Sequence, residues 1–294
     1  MISIFADDAT DAFQQICEQL TIDGQTRKTR NGQEMVELMD VIVEIEQPTK
    51  RIVSTLDRNF PVKCAKREFL WYMTHDNRVD LIGKYLPFWK ECSDDCEHVN
   101  SNYGAVWYEQ IQHIIERLKT ALKEEESDRR ATIAIYDKSF ANYHGKDMPC
   151  TLNVTLNVRD NKLYMSNTMR SNDVVTGFCI DVFTWTCLQE LIANELGVEV
   201  GTYTHHAVSM HVYERHYDMV LQKYDDFVQD LEKEAQNFES FERTTTYSNF
   251  WDATDPYVAF NAIEFNEWKQ RALEFMSKTN KQHESANKLS ISMM

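Results

Sequence analysis

The sequence has too few positive charges to balance its negative ones. It carries 31 Lys and Arg against 47 Asp and Glu, a formal net charge of −16 over 294 residues. A protein that binds the backbone of DNA or RNA needs an excess of Lys and Arg, so the composition argues against a polymeric nucleic acid as direct partner. A small phosphorylated ligand remains possible, because a few well-placed arginines are enough to bind one phosphate.

Several other features are also missing. The N-terminus has no apolar signal segment and no hydrophobic run approaches the length of a membrane span, which predicts a soluble protein that is not secreted and makes no membrane contact. The seven cysteines are an odd number without a dense framework, which favours a reducing cytoplasm. With 5 prolines and 8 glycines the chain has no long linker, and we expect a single domain over residues 1–294.

What is present indicates a packed α+β domain. Hydrophobic residues make up 43% of the chain and aromatics 12%, which is enough for a substantial core. Apolar spacing predicts helices over 8–20, 65–75, 105–123 and 180–196, and strands over 34–46, 131–136, 152–158, 163–168 and 201–213. Residues 214–294 are acidic and predicted to be mostly helical. The fold class is therefore α+β, with a large sheet packed by helices.

The cysteines and histidines offer two kinds of chemistry. Cys150 follows Pro149 at the start of an alternating strand, where a thiol is either a nucleophile activated by nearby cations or a small core residue. Cys92 and Cys96 lack a second ligand pair, so no metal is expected. His211 and Tyr213 share one strand face, which favours a neutral hydrogen-bonding pair over a metal site.

Charged residues in loops and in one apolar helix are further candidates. The arginines in loop-like settings are either solvated or form a dianion site, since guanidinium groups match phosphate oxygens: Arg30, Arg129, Arg130 and Arg170. Glu68 in "CAKREFLWYM" is either a solvated helix residue or a buried acid with a raised pKa, suited to proton transfer. Trp89 is a core residue or a stacking platform. Asp181 interrupts an apolar helix start, "GFCIDVF".

Taken in order, these residues form a pattern that single motifs do not. "EFLW", "FW" before "NSNYG", "DRR", "PC", "RSNDVVTGF" followed by Asp181, and "HVY" together resemble the motif order of the thymidylate synthase family from about Arg30 to Tyr213. "NSNYG", "RSNDVV", Thr151 directly after Cys150, and "HVYERH" are similar to the deoxycytidylate hydroxymethylases of bacteriophages. The fold that this resemblance implies is an α+β sandwich with a large mixed sheet, in which two chains dimerise sheet to sheet.

The resemblance also implies roles for individual residues. Cys150 matches the nucleophile that adds to carbon 6 of the pyrimidine, and Glu68 the acid that organises water and protons. Arg170 and Ser171 match phosphate ligands of the same subunit. Arg30 matches a further phosphate ligand only loosely, and Arg27 or Lys28 could substitute for it. The arginine pair that reaches across from the partner subunit matches Arg129 and Arg130. Residues at the sugar, the folate and the nucleophile match His211, Tyr213, Trp89, Tyr103, Asp173 and Gly177.

Two positions depart from the family pattern. Cys92 stands where synthases often carry a second tryptophan near the folate. Synthases that act on deoxyuridylate carry an asparagine at the position of Asp181. Uracil presents an N–H at ring position 3 and a carbonyl at position 4, which one amide can satisfy; cytosine reverses donor and acceptor. A carboxylate accepts from the amino group of cytosine and from ring nitrogen 3 once that nitrogen is protonated, which predicts cytosine as the base.

Together with Asp181, the resemblance therefore implies a 5,10-methylenetetrahydrofolate-dependent deoxycytidylate hydroxymethylase that works without a metal. Its product would supply modified phage DNA, in the host cytoplasm and within a nucleotide-synthesis complex. Four alternatives stay open: a methyltransferase that finishes with hydride, a ribonucleotide enzyme acting on CMP, a synthase-like enzyme acting on dUMP, and a non-catalytic subunit.

Overall fold

One mixed sheet with helices on one of its faces organises the chain. The structure is a computed structural model that describes residues 1–55, 60–221, 267 and 269–277. The strands are β1 (Ile2–Ala6), β2 (Gln25–Lys28), β3 (Glu34–Ile45), β4 (Thr132–Ala134), β5 (Thr151–Arg159), β6 (Lys162–Met169), β7 (Asn172–Asp173) and β8 (Glu199–Tyr213). The helices are α1 (Ala9–Asp23), α2 (Val62–Met73), α3 (Phe88–Cys92), α4 (Tyr103–Lys123), α5 (Cys179–Leu196) and α6 (Tyr217–Val220).

The strands of the described residues lie in the order β1-β3-β8-β6-β5-β4, with β2 added to β3 and β7 added to β8. Pairing is parallel for β1 with β3, for β6 with β8 and for β7 with β8, and antiparallel elsewhere. The expectation of a large mixed sheet is confirmed. The register of β5 against β6 shifts between Thr151 and Asn153, beside Cys150, and bulges of this kind often re-aim a side chain next to an active site.

The core lies between the sheet and the helices. Helices α1 and α5 pack on the sheet, and α2 and α4 pack on α5. The inward side chains of β8 are buried, among them Tyr203, His205 and Ala207, whereas their neighbours Thr204, His206 and Val208 are half-buried on the opposite face. That opposite face carries no helix of the described residues.

Helix α5 is the central core helix. By length and composition, the 23-residue stretch Val174–Leu196 is apolar enough to cross a membrane, which was not predicted from the sequence. However, 78% of its apolar 18-residue window is buried inside the protein. Its apolar character therefore follows from its place between the sheet and two other helices. The helix ends as predicted at Gly197, whose φ of 70° is the left-handed conformation that glycine adopts easily.

The longer predicted elements are largely confirmed. The short elements β1, β2, β7 and α3 were not predicted, because segments of two to five residues have too little pattern of their own. The predicted helix over 180–196 is confirmed as α5, whereas the π-helix Val174–Phe178 that runs straight into it was not predicted. Most of the helical region expected after Tyr213, including "SISMM", lies outside the described residues; residues 269–277 are helical and bury Ala272 and Met276.

Candidate active site

The thiol of Cys150 lies at the N-terminal end of β5, held by Arg170. The guanidinium of Arg170 donates from Nε to the carbonyl of Pro149 at 3.0 Å and from Nη2 to the carbonyl of Met148 at 2.8 Å. The same Nη2 lies 3.7 Å from the Cys150 sulfur. Burial raises the pKa of Cys150, and the charge of Arg170 opposes that rise. One arginine therefore fixes the turn before the thiol and favours the thiolate form.

The carboxyl of Asp181 projects from the first turn of α5 and is half-buried. Its Oδ2 accepts a hydrogen bond of 2.7 Å from the side-chain amide of Asn172. Burial raises the pKa of Asp181 to about 8; the Asn172 hydrogen bond acts against this rise and the charge of Glu68 adds to it. Near neutral pH this carboxyl therefore carries a proton, which sequence alone did not indicate.

Glu68 is a second acid with a raised pKa. It lies on α2, and the hydroxyl of Tyr72, four residues on and so on the same helix face, donates to its Oε1 at 2.9 Å. Burial raises the pKa of Glu68 to about 7, while hydrogen bonds from Tyr72 and Trp89 lower it. Glu68 is half-buried with a raised pKa, and a group that titrates near neutrality is suited to proton transfer, so its role stays a prediction.

Aromatic side chains surround these acids. Tyr103 stacks between Tyr72 and Trp185, with ring centroids 5.4 Å and 5.6 Å away. Burial, with the charges of Asp181 and Cys150, raises the pKa of Tyr103 well above its usual value. Its hydroxyl therefore stays neutral and lies close to both groups. Trp89 on α3 is 7% exposed and packs on Trp71 at 5.0 Å, so it is a core residue that also contacts Glu68.

Buried polar atoms without partners mark the other side of the site. Both ring nitrogens of His211 and the Oδ2 of Asp173 are buried and make no hydrogen bond within the described residues. The two residues pair across β7 and β8. The expected hydrogen-bonding pair of His211 and Tyr213 is wrong, because their rings meet edge to face at 4.8 Å. Unpaired buried polar atoms are costly, so they are natural positions for ligand contacts.

The predicted arginines do not all meet in one chain. Arg30 lies in the exposed turn between β2 and β3, and β3 begins beside Tyr213. Arg129 and Arg130 are exposed and lie just before β4. The next residue, Ala131, accepts a backbone hydrogen bond from Leu156, which lies six residues along β5 from Cys150, a distance of about 20 Å. There Arg130 pairs with Asp128 at 3.2 Å. One chain therefore does not bring the four arginines together, and a phosphate site that two subunits share, as the resemblance implies, stays a prediction. Ser171 is half-buried next to Arg170.

Gly177 leaves space for Asn172. A Cβ atom on Gly177 would lie 2.8 Å from the Asn172 Nδ2, closer than real Cβ atoms approach. The residue lies in the π-helix, whose start is capped by Asp173: its carboxylate accepts from the amide and hydroxyl of Thr176 at 2.6 Å and 2.8 Å. The missing Cβ of Gly177 thus leaves the Asn172 amide in place to bond Asp181, and a contact of Gly177 with folate stays a prediction.

Sequence reasoning missed Asn172 and assigned no role in the site to His205. Asn172 stands inside "RSNDVV" beside three residues that were singled out, and only the fold reveals that it contacts Asp181. His205 is buried and donates or accepts hydrogen bonds through both ring nitrogens, so it belongs to a polar network. Among the described residues, side chains that could together hold a metal ion converge only at Asp95, Glu97 and His98, and all three are exposed.

Comparison with known proteins agrees with this geometry. Residues 11–251 match the family model of thymidylate synthase. The chain is 29% identical to a deoxyuridylate hydroxymethyltransferase of Pseudomonas phage M6 over 273 residues, covering 88% of this chain and 72% of that protein. It is 28% identical to a deoxyuridylate hydroxymethyltransferase of Bacillus phage SP01, covering 62% of this chain and about half (51%) of the phage protein. A putative thymidylate synthase of Methanocaldococcus jannaschii is 27% identical, covering 75% of this chain and 95% of the archaeal protein.

Proposed function

The chain belongs to the thymidylate synthase family and is a one-carbon transferase, and from that premise we propose that it hydroxymethylates deoxycytidylate. Methylenetetrahydrofolate, the co-substrate of the family, supplies the one-carbon unit. The product is 5-hydroxymethyl-dCMP, which forms when tetrahydrofolate leaves, water adds to the transferred methylene carbon and Cys150 departs. The observation that carries the choice of cytosine is the Asp181 carboxyl with its raised pKa, hydrogen-bonded to Asn172, close to Cys150.

Asp181 reads the base edge. A protonated carboxyl offers one O–H and one acceptor oxygen side by side, which matches ring nitrogen 3 and the 4-amino group of cytosine. When the Cys150 thiolate adds to carbon 6, negative charge develops in the ring, and the Asp181 proton moves to nitrogen 3. The resulting carboxylate and protonated ring attract each other more strongly than the ground-state pair. Asp181 therefore stabilises the intermediate more than the bound substrate, as catalysis requires.

Glu68 and Tyr103 handle water and protons. Glu68 has a pKa of about 7, so it can hold a water molecule as an acceptor and return a proton within one cycle. Tyr103 provides a neutral hydroxyl near both Cys150 and Asp181. Completion of the group by water instead of hydride is supported by the resemblance to phage hydroxymethylases and by the phage relatives named above.

The folate fits beside Asp173. Its Oδ2 is buried without a partner, and an orphaned carboxylate oxygen is suited to the N–H groups of a pterin ring. Trp89 and Gly177, the other two folate positions that the resemblance implies, lie next to Glu68 and Asn172. The partnerless nitrogens of His211, with Tyr213 beside them, suit the sugar hydroxyl.

The phosphate is bound by residues of two subunits. Arg170 uses its Nε and Nη2 hydrogens on the turn before Cys150, so its Nη1 edge is the one presented to phosphate, with Ser171 next to it. Arg30 approaches from the hairpin beside Tyr213. Arg129 and Arg130 are too far along β5 to serve their own chain's site, so we assign them to the site of the partner in a sheet-to-sheet homodimer.

The second candidate is hydroxymethylation of dUMP. It is favoured by the names of the two phage relatives, which are deoxyuridylate hydroxymethyltransferases. A protonated Asp181 could also donate to the uracil 4-carbonyl and accept from the N–H at position 3. Methyl transfer to dCMP and action on CMP remain further variants of the same chemistry. The context for the proposed product is phage DNA synthesis in the host cytoplasm, within a nucleotide-synthesis complex.

The test is release of tritium from carbon 5 of labelled nucleotides, with identification of the product. We expect release from dCMP, a hydroxymethyl product and no dihydrofolate. Formation of 5-methyl-dCMP with dihydrofolate would show that the last step uses a hydride from the folate and not water. Tritium release from dUMP while dCMP stays inert would overturn the proposal, and faster reaction of CMP than dCMP would move it to ribonucleotides.

A further inference from the structure

A buried chain of hydrogen bonds leads from the centre of the sheet to the Asp181 carboxyl. The amide of Asn167 donates to the hydroxyl oxygen of Tyr203 at 3.3 Å, and that hydroxyl lies 3.0 Å from His205 Nδ1. His205 Nε2 lies 3.0 Å from Asn172 Oδ1, and Asn172 Nδ2 donates to Asp181 Oδ2 at 2.7 Å. The first four side chains are at most 3% exposed, so water does not compete for these bonds.

With the Asn172 amide oriented as in the structure, the donors and acceptors along this chain have one assignment. Because the Asn172 carbonyl oxygen can only accept, the Nε2 of His205 must carry a hydrogen. Burial lowers the pKa of His205 to about 3, so the ring is neutral and its Nδ1 has no hydrogen. Nδ1 therefore accepts from the hydroxyl of Tyr203. In this assignment every donor points towards Asp181.

Packing holds the same arrangement. The ring of Phe178 meets the His205 ring edge to face at 5.2 Å, which fixes the imidazole plane. Gly177 has no Cβ where one would press on the Asn172 amide. Tyr203, His205 and Asn172 all lie on regular strands, which position side chains more firmly than loops do.

We propose that His205 is a positioning residue that determines base preference: through Asn172 it keeps Asp181 Oδ2 an acceptor, so that the proton of the carboxyl resides on Oδ1. A free carboxylic acid can place its proton on either oxygen and so match cytosine or uracil equally. Because Oδ2 accepts from Asn172, the carboxyl presents only one arrangement to the base, with Oδ1 as the donor and Oδ2 as the acceptor. The inference rests on the proposed function, in which Asp181 reads the base.

The test measures binding of dCMP and of dUMP to the folate-free enzyme by calorimetry, with three variants. His205→Phe keeps a flat ring and removes both nitrogens, whereas His205→Gln keeps a side-chain amide that can donate to Asn172. Gln189→Met is the matched control, because Gln189 is also a fully buried amide between α5 and the sheet, bonded to the carbonyls of Leu163 and Gly201 and outside the chain to Asp181.

We expect His205→Phe to reduce the dCMP-to-dUMP affinity ratio at least tenfold, and His205→Gln and Gln189→Met to keep it within about threefold. Should His205→Phe fail to fold, Tyr203→Phe removes a single oxygen and should still reduce the ratio several-fold. An unchanged ratio in a folded His205→Phe, or in Tyr203→Phe where that variant replaces it, overturns the role of His205 and leaves the proposed function standing. A wild-type enzyme that prefers dUMP overturns the proposed function, and the His205 variants then show whether the chain still sets the preference.

Discussion

Two carboxyl groups define the site at the scale of single residues. Glu68 and Asp181 have pKa values raised to about 7 and about 8, each chiefly by burial, and the charge of Glu68 contributes to the rise at Asp181. Two acids close together near neutrality can divide proton-transfer roles, since ionisation of one makes ionisation of the other harder. The residue types and their order were predictable from sequence. The raised pKa of Asp181 was not, because it depends on how α2, α5 and the sheet exclude water around it.

A raised pKa makes stability depend on pH in a stated direction. Between the pKa of an unfolded aspartic acid, about 4, and that of folded Asp181, about 8, the folded protein holds a proton that the unfolded chain has released. Stability from this group therefore falls as pH rises through that window. The side chain in Asp181→Asn cannot ionise. The free energy of unfolding of this variant, relative to that of wild type, should therefore rise from pH 5 to 8 and stay constant above pH 8.

Chemical denaturation at several pH values measures this difference. Asp80→Asn removes an exposed carboxylate and controls for the change in net charge. Subtracting the two stability curves cancels the contributions of all other acids, including Asp95, whose pKa is lowered by hydrogen bonds from His98. A difference between Asp181→Asn and wild type that stays flat from pH 5 to 8 would mean that Asp181 is ionised in the folded protein at neutral pH.

At the scale of elements, the π-helix Val174–Phe178 links β7 to α5, the helix that carries Asp181. Helix α5 itself was predictable from its apolar pattern and its terminal glycine. The π-helix was not, because its geometry depends on tertiary packing and leaves no distinct pattern in five residues. The Asn172–His205 contact joins residues 33 positions apart and depends on the register of β7 against β8, which local sequence does not specify.

Gly177 offers a test of this element. Gly177→Ala places a methyl group 2.8 Å from the Asn172 Nδ2, which is too close, and should displace that amide from Asp181. We expect dCMP affinity without folate to fall about tenfold or more, since a buried hydrogen bond to the carboxyl is lost. Thr176→Ser keeps the hydroxyl that bonds Asp173 and serves as the control in the same turn. If Gly177→Ala alters only folate-dependent turnover, the glycine acts on the folate and not through Asn172.

At the scale of the whole molecule, the sheet has one face covered by helices and one that is not covered by described residues. Its mixed pairing follows the expectation from the resemblance, whereas the strand order was not predicted and the assembly remains a prediction. The position of Arg129 and Arg130, about 20 Å along β5 from Cys150, argues that these arginines complete a neighbouring subunit's site.

Mixed dimers test that arrangement. Cys150→Ser and Arg130→Ala should each lose most activity alone. After the two proteins are mixed, unfolded and refolded together, about half of the dimers contain one subunit of each kind, and each of those has one intact site if the arginine crosses the interface. We expect activity to recover to about a quarter of wild type. No recovery, with mixed dimers present, would place Arg130 in the site of its own subunit.

The choice of cytosine is the central claim, and one competition measures it. Equimolar dCMP and dUMP are offered together with methylenetetrahydrofolate to the wild type and to Asp181→Asn, and the hydroxymethylated products are separated and counted. We expect wild type to convert dCMP in excess of dUMP by about 100-fold or more, and Asp181→Asn to shift the ratio towards dUMP. Equal ratios in the two proteins, or a wild type that converts dUMP and leaves dCMP, would contradict it.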